Sequence, residues 1–162
     1  MKIFLAALSG LIFFSGCYTF SGISLAPEVR TYWVGKFENN SVSSAPNLEV
    51  QFAEALRDKV RLESRLKYDE NDPNVEFSGA IQDFRVSSEA PLPGETSAFN
   101  RLTISVQINY RNNVEDKEWQ RSFSFFSNFP AEQDILSVQD QLITTINRQL
   151  VEDIFNAAFT DW

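Results

Sequence analysis

The most restrictive feature of this sequence is a regular alternation of apolar and polar residues between positions 102 and 111. Apolar side chains occupy every second position, and polar side chains fill the positions between them: Leu102, Ile104, Val106, Ile108 and Tyr110 against Thr103, Ser105, Gln107, Asn109 and Arg111. Successive side chains of a β-strand point to opposite faces of the sheet, so this pattern predicts a strand with one buried face. Such a strand is typical of an antiparallel sheet that is covered on one side only.

Two neighbouring segments predict further strands of the same sheet. Residues 75–86 alternate until the apolar phase slips at Asp83-Phe84, which predicts a β-bulge. Residues 119–125 place Arg121 on the same face as the aromatic side chains Trp119, Phe123 and Phe125. Loops are expected at 88–97, which contains two prolines and a glycine, and at 112–117, so the three strands form an antiparallel meander.

Two segments carry the four-residue period of amphipathic helices. The first runs from Asn47 to about Leu66, and the second is expected to start with the acids of residues 131–134 in its first turn and to end near Ala158. The apolar stripes are Leu48, Phe52, Leu56 and Val60 in the first helix, and Ile135, Leu142, Ile146, Leu150, Phe155 and Phe159 in the second. The polar face of the first helix is mixed in charge, which favours a helix that packs on the core over one that lies on a membrane.

A first strand is predicted over Val29–Phe37, with Val29, Thr31, Trp33 and Phe37 on one side and Arg30, Tyr32 and Lys36 on the other. The element order is therefore β-α-β-β-β-α. The predicted fold class is α+β: a two-layer sandwich in which a four-stranded, mostly antiparallel sheet is covered on one face by two helices. The opposite face, rich in Ser, Thr, Gln and Arg, is expected to be solvated or to meet a partner.

The N-terminus has the parts of a secretory leader: Lys2, the apolar run Ile3–Phe14, and the small residues Ser15-Gly16. The run is too short for a membrane-spanning helix, which needs roughly 20 apolar residues. Cys17, the chain's single cysteine, stands where a bacterial lipoprotein accepts its lipid. We therefore expect residues 1–16 to be a signal peptide and residues 17–162 to be one domain that is lipidated at Cys17; an unlipidated secreted protein is the alternative.

Composition excludes several classes of function. The chain has no histidine, so Ser-His-Asp triads, Cys-His pairs and histidine-bearing zinc sites are ruled out. It has no glycine-rich phosphate loop and no G-x-S-x-G turn. Its net charge of −8 does not suit nucleic acid. We expect no enzyme and no cofactor or metal; a carboxylate-dependent hydrolase would require a buried carboxylate pair that the sequence does not single out.

Several short motifs resemble the LptE family of lipopolysaccharide-assembly lipoproteins, in the form found in Bacteroidetes-type bacteria. They are Cys17-Tyr18-Thr19-Phe20-Ser21-Gly22, Leu25-Ala26-Pro27-Glu28-Val29, Phe37-Glu38-Asn39, Phe129-Pro130-Ala131 and Asp153-Ile154-Phe155-Asn156. The resemblance implies a sheet covered by two helices and an outer-membrane lipoprotein that faces the periplasm. It also implies that the protein plugs the β-barrel translocon LptD, assists the folding of that barrel and helps to deliver lipopolysaccharide to the outer leaflet, without making or breaking a bond.

Lipopolysaccharide carries phosphates and acyl chains, so a contact site needs Arg or Lys beside apolar surface. The candidates on or near the meander are Arg85, Arg101, Arg111 and Arg121, and Leu92 between two prolines is a candidate partner contact. For the loop around Leu92, the simpler interpretation is a stiff hairpin. For Arg85, Arg101 and Arg111 the simpler interpretation is a solvated charge at a strand edge or end; Arg121 is either partnered on its aromatic face or placed at the rim of that face. The alternative function is a freestanding periplasmic lipoprotein that binds an amphipathic ligand.

Overall fold

A computed structural model describes residues 25–89 and 98–160 of the chain. It contains six strands and two helices in these parts. The strands are β1 (Thr31–Val34), β2 (Glu38–Asn39), β3 (Lys67–Tyr68), β4 (Val75–Glu89), β5 (Phe99–Asn112) and β6 (Lys117–Pro130), and the helices are α1 (Leu48–Glu63) and α2 (Ile135–Phe159). Cys17 and Leu92 lie outside the described residues.

The strands form one mixed sheet in the order β3-β1-β4-β5-β6, with β2 also paired to β4. The predicted meander is confirmed, because β4, β5 and β6 pair antiparallel along their length. The predicted bulge is confirmed as well: the register of β4 against β5 shifts between Ile81 and Asp83.

The prediction of four mostly antiparallel strands is wrong in number and in the pairing of the early strands. The strands β1, β2 and β3 are all paired parallel to their neighbours, and β2 and β3 have two residues each. A two-residue strand is too short to show a period of two, so the sequence pattern could not reveal it. The mixed sheet follows because α1 is the crossover between two parallel strands, β1 and β4.

The predicted facing of the first strand is also wrong. Tyr32 and Val34 are the fully buried residues of β1, and Trp33 lies on the other face in a half-buried position. The Tyr32 hydroxyl donates a hydrogen bond of 3.1 Å to the carbonyl oxygen of Arg57 in α1. A tyrosine whose hydroxyl has a partner can be buried at little cost, which is why this polar-tipped residue faces the core. Val29 and Phe37 are buried too, but outside the strand itself.

Both helices are confirmed, with shifted ends. The first begins at Leu48 and ends at Glu63, three residues before the predicted end. The second begins only at Ile135, so the residues expected in its first turn precede the helix. Asp134 is its N-cap and accepts a hydrogen bond of 2.9 Å from the backbone N–H of Leu136.

The core lies between the helices and one face of the sheet. Phe77 and Ile108 of the sheet, Phe52 of α1, and Ile146 and Phe159 of α2 belong to a single cluster of buried side chains. On the opposite face, which we call the outer face, the alternate residues of β5 from Arg101 to Arg111 are half-buried or exposed. The two-layer arrangement is therefore confirmed, and the outer face is open to solvent or a partner.

A three-residue ion network joins the two helices. The Lys59 ammonium lies 2.6 Å from a carboxylate oxygen of Glu63 and is also hydrogen-bonded to Glu152 of α2. The hydrogen bond from Lys59 holds the pKa of Glu152 below its ordinary value, although burial opposes this. Burial alone would lower the pKa of Lys59, but its hydrogen bonds to Glu152 and Glu63 raise the pKa above its ordinary value.

This network makes stability depend on pH in a predictable direction. Because the pKa of Glu152 is depressed by folding, its contribution is fully present above the pKa of an unfolded glutamate and is lost as the pH falls through the folded pKa. We expect the free energy of unfolding to drop on acidification to pH 3.5, and Glu152→Gln to reduce that drop. Urea denaturation at pH 7 and pH 3.5 measures the change in the free energy of unfolding between the two pH values. The control is Glu132→Gln, which replaces an exposed residue outside the network. An equal drop in both variants would contradict the prediction.

Candidate functional site

On the outer face, two arginines and an exposed aromatic ring lie near the end of β4 and the start of β5. Arg85 pairs across the strands with Thr103, and Thr103 pairs with Phe126, so these three residues form one row across the sheet. Arg101 lies one step along β5 on the same face. We call Arg85, Arg101 and Phe126 the outer-face patch.

Arg101 is held at the centre of this patch by three contacts. Its guanidinium carbon lies 4.1 Å from the centre of the Phe126 ring. Its Nε donates a hydrogen bond of 3.1 Å to the side-chain oxygen of Asn128, and its Nη1 lies 3.5 Å from a carboxylate oxygen of Glu89. The side chain keeps 29% of its surface exposed, and Phe126 keeps 45%. The patch therefore offers a fixed positive charge beside open aromatic surface.

Arg85 is the more exposed of the two arginines in the patch. Its side chain is 66% exposed, and its Nε lies 3.8 Å from a carboxylate oxygen of Asp83. An exposed ion pair at this distance contributes little to stability. Little stability would therefore be lost if Arg85 exchanged Asp83 for another anion.

Arg111 and Arg121 do not belong to this patch. Arg111 is ten residues from Arg101 along β5, a separation of about 33 Å, and it lies 3.9 Å from Glu118 in a polar depression of about 420 Å³ that Glu76 also lines. Arg121 is on the helix side of the sheet, where it is exposed and lies over the ring of Trp119 at 5.2 Å. Arg121 is thus exposed and also in contact with the aromatic face, so both interpretations of this residue stay open.

Tyr110, on the helix side of the same strands, belongs to the core. Its ring stacks on Trp119 at 5.0 Å, and burial raises the pKa of its hydroxyl to about 12. A hydrogen bond to Asn112 opposes that rise without cancelling it. Tyr110 therefore stays neutral and serves the core.

Phe126 is the member of the patch that the sequence pattern missed. The consecutive phenylalanines Phe125 and Phe126 break the alternation, and the structure places Phe125 toward the helices and Phe126 on the outer face. An apolar residue at a polar position of an alternating strand was the available signal.

No group of three carboxylate, histidine or cysteine side chains that suits a metal ion occurs in residues 25–89 and 98–160. Within those ranges neither helix is both long and apolar enough to span a bilayer.

The contacts of Arg101 predict a measurable difference between two arginines of one strand. Arg101→Gln is expected to lower the free energy of unfolding by roughly 1 kcal/mol, because it removes a hydrogen bond and a contact with an aromatic ring. Arg111→Gln is the matched control, with an expected change within about 0.5 kcal/mol. Equal midpoints of urea denaturation for the two variants would contradict this reading of the patch.

The fold and patch define a class: a two-layer α+β domain that presents a solvent-open sheet face. A family model described as LptE, lipopolysaccharide-assembly, matches residues 29–158. The chain belongs to this family, and its role is therefore in lipopolysaccharide assembly. The Bacteroidetes-type form of the family stays a prediction.

Two solved structures share the fold at low sequence identity. A hypothetical protein from Chlamydia trachomatis has a TM-score of 0.53 and 9% identity, with 79% of this chain and 94% of that chain covered. A protein from Xanthomonas campestris has a TM-score of 0.51 and 9% identity, covering 82% and 88%. The rare lipoprotein B from Shewanella oneidensis has a TM-score of 0.48 and 10% identity, covering 77% and 92%. No curated protein matches the sequence significantly.

Proposed function

We propose that this chain is an outer-membrane lipoprotein that faces the periplasm and partners the β-barrel lipopolysaccharide translocon. Residues 1–16 are removed as a signal peptide, and Cys17 carries the lipid. The domain then plugs an LptD-like barrel, assists its assembly and helps lipopolysaccharide to enter the outer leaflet. The observation that carries this proposal is the family match over residues 29–158.

In this proposal the outer-face patch is the contact for the charged end of lipopolysaccharide. A guanidinium group binds a phosphate through charge-assisted hydrogen bonds. Arg101 is already oriented by Asn128 and Phe126, so little conformational freedom is lost when it binds. Phe126 supplies exposed apolar surface next to that charge, as an amphipathic ligand requires. The chain is acidic overall, so its net charge does not attract an anionic ligand. We therefore assign binding to the local contacts of this patch.

Depletion of the protein in cells tests the role in assembly. We expect a fall in the amount of correctly folded barrel and in lipopolysaccharide at the cell surface. Restoration by the wild-type chain is the control. Unchanged amounts of both after depletion would refute the proposed role.

The second candidate is a freestanding periplasmic lipoprotein that binds an amphipathic ligand, and the outer-face patch is the observation that favours it. Native mass spectrometry of the protein released from membranes distinguishes the two. A bound lipid without a protein partner supports the freestanding form, whereas a complex with a barrel supports the leading proposal.

A further inference from the structure

The strand β6 forms a free edge of the sheet. It spans fourteen residues, Lys117–Pro130, and within the described parts of the chain it pairs only with β5. Its side chains are exposed or half-buried except for Phe129. One row of backbone N–H and C=O groups along β6 therefore lacks a strand partner among the described residues.

The second half of this edge lacks the features that ordinarily prevent edge-to-edge pairing, apart from the proline at its last position. Such features are charged residues, prolines, bulges and short length. In β6 the eight residues Ser122–Phe129 carry no charge, and proline stands only at the last position. The register against β5 runs without a shift from Lys117 to Pro130. The second half of β6 is thus long, neutral and regular enough to accept another strand.

We propose that β6 pairs antiparallel with β6 of a second copy of this chain, about a two-fold axis at Ser124. This contact goes beyond the role in barrel partnering and concerns the lipoprotein when it is free of its partner.

The distribution of charge favours a second copy in this register. Pairing about Ser124 places Phe123 opposite Phe125 of the other copy, and cross-strand aromatic pairs are stabilising. Arg121 then faces an uncharged residue, Ser127. Registers centred nearer the start of β6 place Arg121 opposite Arg121 or Lys117 of the other copy, where like charges repel. A two-fold axis makes the contact self-complementary, as in most homodimers.

Two variants, each with one added cysteine, test the contact: one cysteine lies on the edge strand and the other on the strand beside it. Ser124 of β6 and Ser105 of the central strand β5 lie opposite each other on the outer face, and their hydroxyls are hydrogen-bonded at 2.9 Å. Ser124→Cys and Ser105→Cys therefore remove the same hydrogen bond, but only Ser124 lies at the edge. We express each full-length lipidated variant in excess over the barrel, treat the membranes with a short bis-maleimide and measure the dimer on denaturing gels.

The expected result is a cross-linked dimer for Ser124→Cys that exceeds the dimer for Ser105→Cys severalfold. No dimer for Ser124→Cys, or equal dimer for the two, would overturn the proposal. The wild-type protein is the control for lipidation, because it can be cross-linked only if the Cys17 thiol is free. A cross-linked wild-type dimer would therefore show that Cys17 is not lipidated. The same two variants would then be compared in the Cys17→Ser background.

A charge added at the edge gives an independent measurement. Ser122→Lys combined with Ser124→Cys is expected to reduce the cross-linked fraction severalfold, because a lysine on an edge strand opposes pairing. Ser122 is exposed, and the melting temperature of the domain checks that it remains folded. A folded Ser122→Lys variant that cross-links as before would show that the copies meet through another surface, and this too would overturn the proposal.

Discussion

Replacing Gly79 by alanine is expected to destabilise the domain more than any other single methyl addition in the sheet. A Cβ at this position would lie 1.9 Å from the carbonyl oxygen of Gln107 in β5 and 3.1 Å from the ring of Phe37. The backbone φ of +158° at Gly79 is also one that other residues adopt rarely. The obstruction is backbone, which cannot move without breaking the pairing of β4 with β5.

We expect Gly79→Ala to lower the free energy of unfolding by about 3 kcal/mol or more, since overpacking and backbone strain both contribute. Urea denaturation followed by circular dichroism measures the change. Ser78→Ala, at the adjacent and half-buried position, is the control and is expected to change little. A Gly79→Ala protein as stable as Ser78→Ala would contradict the close approach of β4 to β5 and Phe37.

In cells that make the protein in excess over the barrel, replacing Cys17 by serine is expected to release most of the protein from the membrane. In our proposal Cys17 carries the lipid, and a serine at this position lacks the thiol that the lipid is attached to. The domain would then have no covalent attachment to the membrane. Fractionation of cells into membrane and periplasm measures the release, and mass spectrometry of the mature N-terminus identifies the lipid.

Ser21→Ala is the control for this substitution, because it changes a neighbouring residue and leaves the acceptor in place. We expect this variant to remain in the membrane fraction. Cys17→Ser protein that stays with the membrane to the same extent would contradict lipidation at Cys17 as the means of attachment.

The parts of the fold that the sequence predicted are those governed by a repeating local pattern. The alternation from Leu102 to Tyr110 and the apolar stripes of α1 and α2 each bury one face, so the pattern and the structure agree. The facing of β1 was mispredicted because a hydrogen bond between Tyr32 and Arg57, 25 residues apart, determines it. The short strands β2 and β3 form only because longer strands lie beside them. Tertiary contacts of this kind leave no local signal.

The sequence predicted the candidate arginines of the site but not which of them lie together. The need for arginine beside apolar surface led to Arg85 and Arg101, which the structure places on one face. The sequence could not separate them from Arg111 and Arg121, because the distance along a strand and the facing of β6 decide which arginines share a patch. Phe126 could be assigned to the outer face only from its pairing with Thr103 in the structure. Contact with a partner or ligand at these residues, and at Leu92, stays a prediction.

A pull-down of the lipidated protein from outer membranes in mild detergent tests the central claim most directly. The chain carries an affinity tag at its C-terminus, and the Cys17→Ser variant serves as the matched control for anchoring. We predict that the wild-type protein retains a large outer-membrane β-barrel in near-stoichiometric amount. If the protein is recovered intact and folded without any barrel, the proposed partnership with the lipopolysaccharide translocon is wrong.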